Sequence, residues 1–529
     1  MLFPSLRICV TGIPATTSFP AVTRMKKLTS LLLAIPLLSP ATDEAVTYHR
    51  DIAPIIYANC SSCHRTGESA PFPLTNYAEV SRKALTISEV VNDRYMPPWH
   101  ANTEVTEFRD VRRLTPDQIS LVGRWVAAGK PEGDPADAPA FPAFTQGWQL
   151  GEPDLVLKMA APYAVPAEGP DIYRNFVLPL DLPNDKWVKA IELRPSARNV
   201  VHHSLYFLDD SGTARKLDGK DGKPGFNGMS FRQSGALGGY VPGVSPRRLP
   251  EDLARPLPKG SDLVLSTHFH PSGKVEMEQT TVGIYLTDTA PLRKLEELQI
   301  PPGFGRSAGI DIPPGETNFT IKDSFKLPVD VEAFSVSGHA HYICETMKMT
   351  ATHPDGTTQV LLDIPDWDLD WQDTYFFGEP IILRAGTVVD AVITYNNSAE
   401  NPENPFNPPQ RIKWGRESTD EMGSITLVGV ALDASDHQRL NLSNKAQRVK
   451  IFTQLGKELS STGVLERLPT IVKNLDTNGD GSLQESELPQ RMRAALLMKL
   501  DEDGDKSLNP SEIESLKDWI ESLKANRGA

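Results

Sequence analysis

The chain is poor in the residues that staple or anchor an exported protein. Four cysteines in 529 residues leave no disulfide framework: Cys9 falls in an N-terminal leader, Cys60 and Cys63 form one motif, and Cys344 stands alone. Cationic residues are outnumbered, 54 Lys+Arg against 68 Asp+Glu, for a net charge of −14. That balance excludes a nucleic-acid surface and a polybasic membrane anchor. No apolar run reaches the roughly twenty residues of a transmembrane helix. Histidine is scarce as well. Of eleven, six lie in three tight groups: His202-His203, His268-Phe269-His270 and His339-Ala340-His341.

What is present points to several exported domains. Met25-Lys26-Lys27, the apolar run Leu28 to Leu38 and the small residues Ser39-Pro40-Ala41 have the order of a secretory signal. The signal region is 1–43, translation is expected to start at Met25, and the mature protein is expected in a periplasm or outside the cell. Prolines (45) and glycines (37) are spread through the middle of the chain, which favours β-sandwiches with many loops over helical bundles.

Residues 44–137 are expected to form a haem domain. Cys60-Ser61-Ser62-Cys63-His64 is a C-x-x-C-H run, whose spacing lets two thiols reach the haem vinyl groups while the next imidazole meets the iron. A zinc half-site lacks a second cysteine pair, and a thioredoxin-like redox pair lacks a βαβ setting. Ile52, Ile55, Ile56 and Tyr57 make an apolar helix face before the motif. Thr115-Pro116-Asp117 opens a second helix, with Ile119, Val122, Trp125 and Val126 on its face and Gly129 at its end. The region resembles an α-helical cytochrome c domain. That resemblance makes Met96, in Tyr95-Met96-Pro97-Pro98-Trp99, the sixth iron ligand ahead of His100 or His49.

A linker, 138–153, leads into short alternating runs that read as strands of two all-β, jelly-roll-like sandwiches, 154–299 and 300–436. Adjacent His202 and His203 on a regular strand point to opposite faces, so sharing an ion requires a local bend, a twist or a bulge. The His339-x-His341 pair faces one side and chelates without distortion. Gly338 before it permits close approach. Met347 and Met349 on the following strand are expected in the core.

After a second linker, 437–464, residues 465–529 are expected to form a small α-helical EF-hand domain. Asp476, Asn478, Asp480, Gly481, Ser482, Gln484 and Glu487 match the twelve-residue calcium loop. Asp501, Asp503, Asp505, Ser507, Asn509 and Glu512 repeat it, with Lys506 in place of the turn glycine. Leu483 and Leu508 hold the position where paired loops share a short bridge, and the calcium is expected to be structural.

Residues 154–436 resemble the copper type II, ascorbate-dependent monooxygenases, the group of peptidylglycine α-hydroxylating and dopamine β-monooxygenases. The likeness rests on His202-His203, on Leu265 to Phe269, on His339 with His341, and on Ser418 to Met422, in that order. It implies an electron-transfer copper at His202, His203 and His268. It also implies an oxygen-reacting copper at His339, His341 and Met422. A thioether beside two imidazoles favours Cu(I) over zinc. His270 is an outer partner or an alternative to His268.

The implied activity is hydroxylation of a C–H bond of a small substrate with O2, its electrons arriving through the fused haem from an external donor. Ser335, Val336, Ser337 and Gly338 include no arginine to clamp a peptide carboxylate, so peptide amidation is not expected. The rival classes are a non-catalytic haem/copper electron-transfer or copper-handling protein, and an assembly module with glycan-binding β domains. Copper stoichiometry and oxygen uptake separate them.

Overall fold

A computed structural model describes residues 45–447 except 146, 230, 232 and 416, and then 471–473, 475–484, 486–488, 500 and 507–515. The signal region and Asp501, Asp503 and Asp505 lie outside the described residues. Two sandwiches carry the fold. In the first, strands Leu155–Lys158, Thr281–Thr287, Lys186–Arg194 and Arg255–Leu257 form one sheet. Ile172–Pro179, Asp262–Phe269, Val201–Asp209 and Gly235–Tyr240 form the other, all antiparallel. In the second, Leu295–Ile300, Gly423–Ala431, Val331–Ala340 and Thr374–Leu383 face Phe319–Lys326, Val388–Tyr395, Cys344–Thr352 and Thr358–Ile364.

Alternation explains why these runs are strands. Val388–Tyr395 buries every second residue, the signature of a strand with one face on a core. Met347 and Met349 are fully buried in the second sandwich. Gly338 is required there: a Cβ would stand 2.5 Å from the Met347 sulfur and 3.1 Å from the Trp367 ring.

The first sandwich closes one long loop with a buried cation. Arg174 is 2% exposed, and its guanidinium donates to Asp221 at 2.7 and 2.9 Å and to the Pro224 carbonyl at 2.5 Å. Arg174 holds the Asp221 carboxyl down at about 2. A depressed carboxyl stabilises the fold above its ordinary value and stops doing so as pH falls through the folded one. Asp221→Asn is therefore expected to be less stable than wild type at pH 7. The gap should close between about pH 4 and pH 2, as read by urea denaturation across that range.

The expectation of an α-helical cytochrome c domain is corrected. The chain is predominantly β-sandwich. Residues 46–137 contain only the α-helices Ala53–Asn59, Tyr77–Asn92 and Pro116–Ala127, of 7, 16 and 12 residues. The apolar spacing of Ile52, Ile55 and Ile56 lasts two turns. Gly67, Pro71 and Pro73 then prevent the chain from continuing as helix. After Pro97 and Pro98 the chain leaves the helices and returns to them only at Pro116. Trp99, Ala101 and Phe108 are buried in the core of the second sandwich. The Arg109 N–H donates to the Phe376 carbonyl at 2.8 Å and that of Gly378 to the Glu107 carbonyl at 2.9 Å. Burying a side chain as large as Phe108 contributes about 2–3 kcal/mol, so this segment is part of the sandwich and not a tether. The small helical core around Tyr48, Ile56, Val80 and Trp125 is annexed to the β architecture. Val46 onward forms one compact unit.

Most of the expected small α-helical EF-hand domain lies outside the described residues. Those described include helical residues 471–473 and 510–515 and a two-stranded ladder pairing Leu483 with Leu508 and Gln484 with Ser507. Among the described residues no helix is long and apolar enough to cross a membrane.

Candidate metal centres

The first cluster is made by a bulge. Val201 pairs with Phe269 and His203 with His268, so His202 is an extra residue opposite no partner. The bulge turns two neighbouring imidazoles to one side. The Nδ1 atoms of His202 and His203 are 3.3 Å apart, and those of His203 and His268 are 3.4 Å apart. Nitrogens about 2.0–2.1 Å from one tetrahedral ion stand roughly 3.3 Å from each other.

Outer partners decide which nitrogens are bare. His268 donates its Nε2–H to Asp171 at 2.7 Å, which leaves its Nδ1 as a lone pair. The other oxygen of Asp171 lies 2.8 Å from His270 Nδ1. His268 and His270 together hold the Asp171 carboxyl down at about 2. Burial pushes His202 down to about 4 and His203 well below its ordinary value. His202 and His203 are therefore neutral at pH 7, and neutral imidazole nitrogens are metal donors. The donor set fits a metal ion. His270 is 68% exposed and sits behind Asp171, an outer partner. Asp171 was not apparent in the sequence, and its place at a strand start, 97 residues from His268, gave no signal. Asp171→Asn is expected to weaken Cu(II) binding here about 10–100-fold, measured by chelator competition.

The second cluster lies where two adjacent strands end. Ala340 pairs with Gly423, so His341 and Met422 come next, side by side. His339 donates Nδ1–H to Gln372 Oε1 at 2.6 Å, and His341 donates its own to the Asp420 carbonyl at 3.1 Å. His339 Nε2 is thereby bare, while His341 also bonds the Glu417 backbone, and the two rings lie 5.5 Å apart. Burial lowers both imidazoles, His339 to about 3. Met422 is buried at 7% exposure. Two buried imidazoles and a buried thioether fit a soft ion.

Glu421 ties this cluster together. Its carboxylate, 0% exposed, accepts the backbone N–H of His341 at 2.6 Å, of Met422 at 2.7 Å and of Ile343 at 3.3 Å. Burial pushes it up to about 8. Gly423 is held to glycine by Tyr395, since a Cβ would stand 1.8 Å from its hydroxyl oxygen.

One cavity of about 1240 Å³ is lined by His203 from the first cluster, His339 from the second and Cys63. Ser337, Phe304 and Phe376 also face it. At the haem motif, His64 donates Nδ1–H to the Phe72 carbonyl at 3.0 Å, leaving Nε2 bare as an axial ligand requires. Cys60 and Cys63 are free. Burial pushes the Cys60 thiol up to about 12. Gly243 packs on Cys63, where a Cβ would stand 2.8 Å from the sulfur. Met96 lies in the loop after the second helix, its N–H on the Val90 carbonyl at 3.1 Å. Of its rivals, His100 bonds the Asp366 carbonyl at 3.0 Å and His49 lies 3.4 Å from Glu132.

The first calcium-type loop is wrapped as its motif requires. Asp476 accepts the N–H of Gly479 at 2.7 Å and of Gly481 at 2.9 Å. Glu487 accepts those of Thr477 at 2.8 Å and Gln484 at 3.1 Å. Asn478, Asp480 and Ser482 lie between them, and Gly481 has a φ of 81°. In the second loop, Asn509 donates its N–H to Glu512 at 2.9 Å.

No family model matches the chain, and no curated protein matches it. Among solved structures it is similar to VP2 of infectious bursal disease virus in a subviral particle. That match has 9% identity over 57% of this chain and 77% of that chain, with a TM-score of 0.16. A Paenibacillus xanthan lyase is similar at 11% identity over 55% of this chain and 28% of that chain, with a TM-score of 0.15. Superpositions this poor carry no argument about fold or activity.

Proposed function

We propose that this protein is a copper-dependent monooxygenase that hydroxylates a C–H bond of a small molecule with O2, its electrons delivered through a c-type haem. The observation that carries the reading is the convergence of three imidazoles, His202, His203 and His268, whose ligand nitrogens lie within 4.8 Å of one another. His202, His203 and His268 hold the copper that passes electrons. His339, His341 and Met422 hold the copper that, when bound, supplies activation of O2. Cys60, Cys63, His64 and Met96 would hold the haem, which would supply one-electron transfer. Asp476 to Glu487 hold a structural calcium, and the second motif, Asp501 to Glu512, is a second calcium site.

The chain's own residues do the rest. Asp171, Gln372 and the Asp420 carbonyl fix ring orientation and tautomer. Phe304, packed 4.9 Å from His339, limits water at that ring. A cavity lined by one residue of each cluster and by Cys63 favours an enzyme over a carrier, since a carrier needs no room for substrate. The test is optical. Reduced haem in the copper-loaded protein should be reoxidised by O2 faster than in copper-free protein. Equal rates would leave the oxygenase reading without support.

A further inference from the structure

The two clusters belong to different sandwiches, yet two short bridges join them. In the first, the turn Leu369–Trp371 stands against His202. Asp370 lies 3.8 Å from His202 Nε2, and the Trp371 ring lies 6.1 Å from the His202 ring between centroids. The next residue is Gln372, which accepts the Nδ1–H of His339 at 2.6 Å. Its amide also donates to the Leu369 carbonyl at 3.2 Å, so turn and side chain move together.

In the second bridge, Tyr173 pairs across the sheet with His268. Its ring stacks on the imidazole at 4.2 Å, 12° from parallel. Ser418 donates to the Tyr173 hydroxyl at 3.0 Å. The loop that carries Ser418 is closed by the Asp420 N–H on the Glu417 carbonyl at 2.9 Å, and the Asp420 carbonyl accepts from His341. Each bridge thus touches one imidazole of each cluster.

We propose that the clusters are one coupled unit. An ion held by His202, His203 and His268 raises the affinity of His339, His341 and Met422 for theirs, and conversely. Gln372 and Tyr173 are the positioning residues that carry the coupling. This rests on the reading that both clusters hold copper. An ion in the first cluster fixes the His202 and His268 rings, and with them the Trp371 and Tyr173 rings packed against them. That orders Gln372 and the 417–420 loop, so His339 and His341 lose less rotational freedom when their own ion arrives. Coupling of this kind is reciprocal and typically at least about five-fold in affinity.

The test is an anaerobic Cu(I) titration of the full chain against a chromophoric chelator, with no turnover required. In wild-type background, disabling the second cluster by His341→Ala should weaken the first about five-fold or more. In Tyr173→Phe/Gln372→Leu the same His341→Ala change should leave the first cluster's affinity unaltered. Gln372→Glu, which keeps an acceptor for His339, should restore the effect, which a merely structural role would not predict. Tyr173→Phe keeps the ring, so folding is preserved. Equal first-cluster affinity with and without His341 overturns the coupling and leaves the oxygenase reading standing. Absence of Cu(I) binding at both clusters overturns the two together.

Discussion

In His268→Ala, copper content is expected to fall from two ions per chain to one, the remaining ion held by His339, His341 and Met422. Losing an outer partner of a metal-bound histidine costs about 10–100-fold in affinity, and losing the ligand itself must cost more. His268 is also where three supports meet: the Asp171 carboxylate at 2.7 Å, the Tyr173 ring at 4.2 Å and the His203 nitrogen at 3.4 Å. Its removal leaves Asp171 without its principal partner and the bulged His202 with no third ligand to complete the set. Metal analysis after dialysis against a chelator reads the result. Two retained ions would place the first centre elsewhere.

The second large effect is on stability. Glu421→Ala is expected to cost roughly 3–9 kcal/mol, because three buried N–H groups, those of His341, Met422 and Ile343, lose their acceptor at about 1–3 kcal/mol each. That is comparable to the whole stability of a typical domain, about 5–15 kcal/mol. Glu421→Gln should be much milder. With the carboxyl pushed up to about 8, the neutral acid predominates at pH 7, and glutamine copies its shape and keeps an acceptor oxygen. Urea unfolding of the two variants separates them. A Glu421→Ala protein within about 1 kcal/mol of wild type would show that the carboxylate does not organise the strand ends.

Much of the site was legible because its parts are contiguous. An H-x-H on a strand can be read from spacing alone, whereas Met422 came from the family resemblance and Glu421 was not singled out. The need for a bend, twist or bulge at His202-His203 followed from strand geometry. The bulge itself, set by the pairing of Val201 with Phe269 and His203 with His268, depends on a strand more than sixty residues away. Asp171, Tyr173 and Gln372 were not legible for the same reason. Each is an ordinary polar or aromatic residue made significant by what the fold brings beside it.

The helical region failed differently. Two helices were visible, one from its cap, apolar face and terminal Gly129 and one from its apolar face, and the structure has both, but the helix between them, Tyr77–Asn92, was not. A separate helical domain also assumed that the chain after Met96 stays with the helices. Trp99 and Phe108 are indifferent in sequence to which core takes them, and the larger β core does.

X-ray absorption at the copper edge of the holoprotein and of Met422→Ala tests the central claim most directly. The account predicts two coppers per chain in nitrogen-rich surroundings, with one sulfur scatterer that disappears in the variant. A holoprotein without copper, or a sulfur signal that survives the loss of Met422, would contradict it.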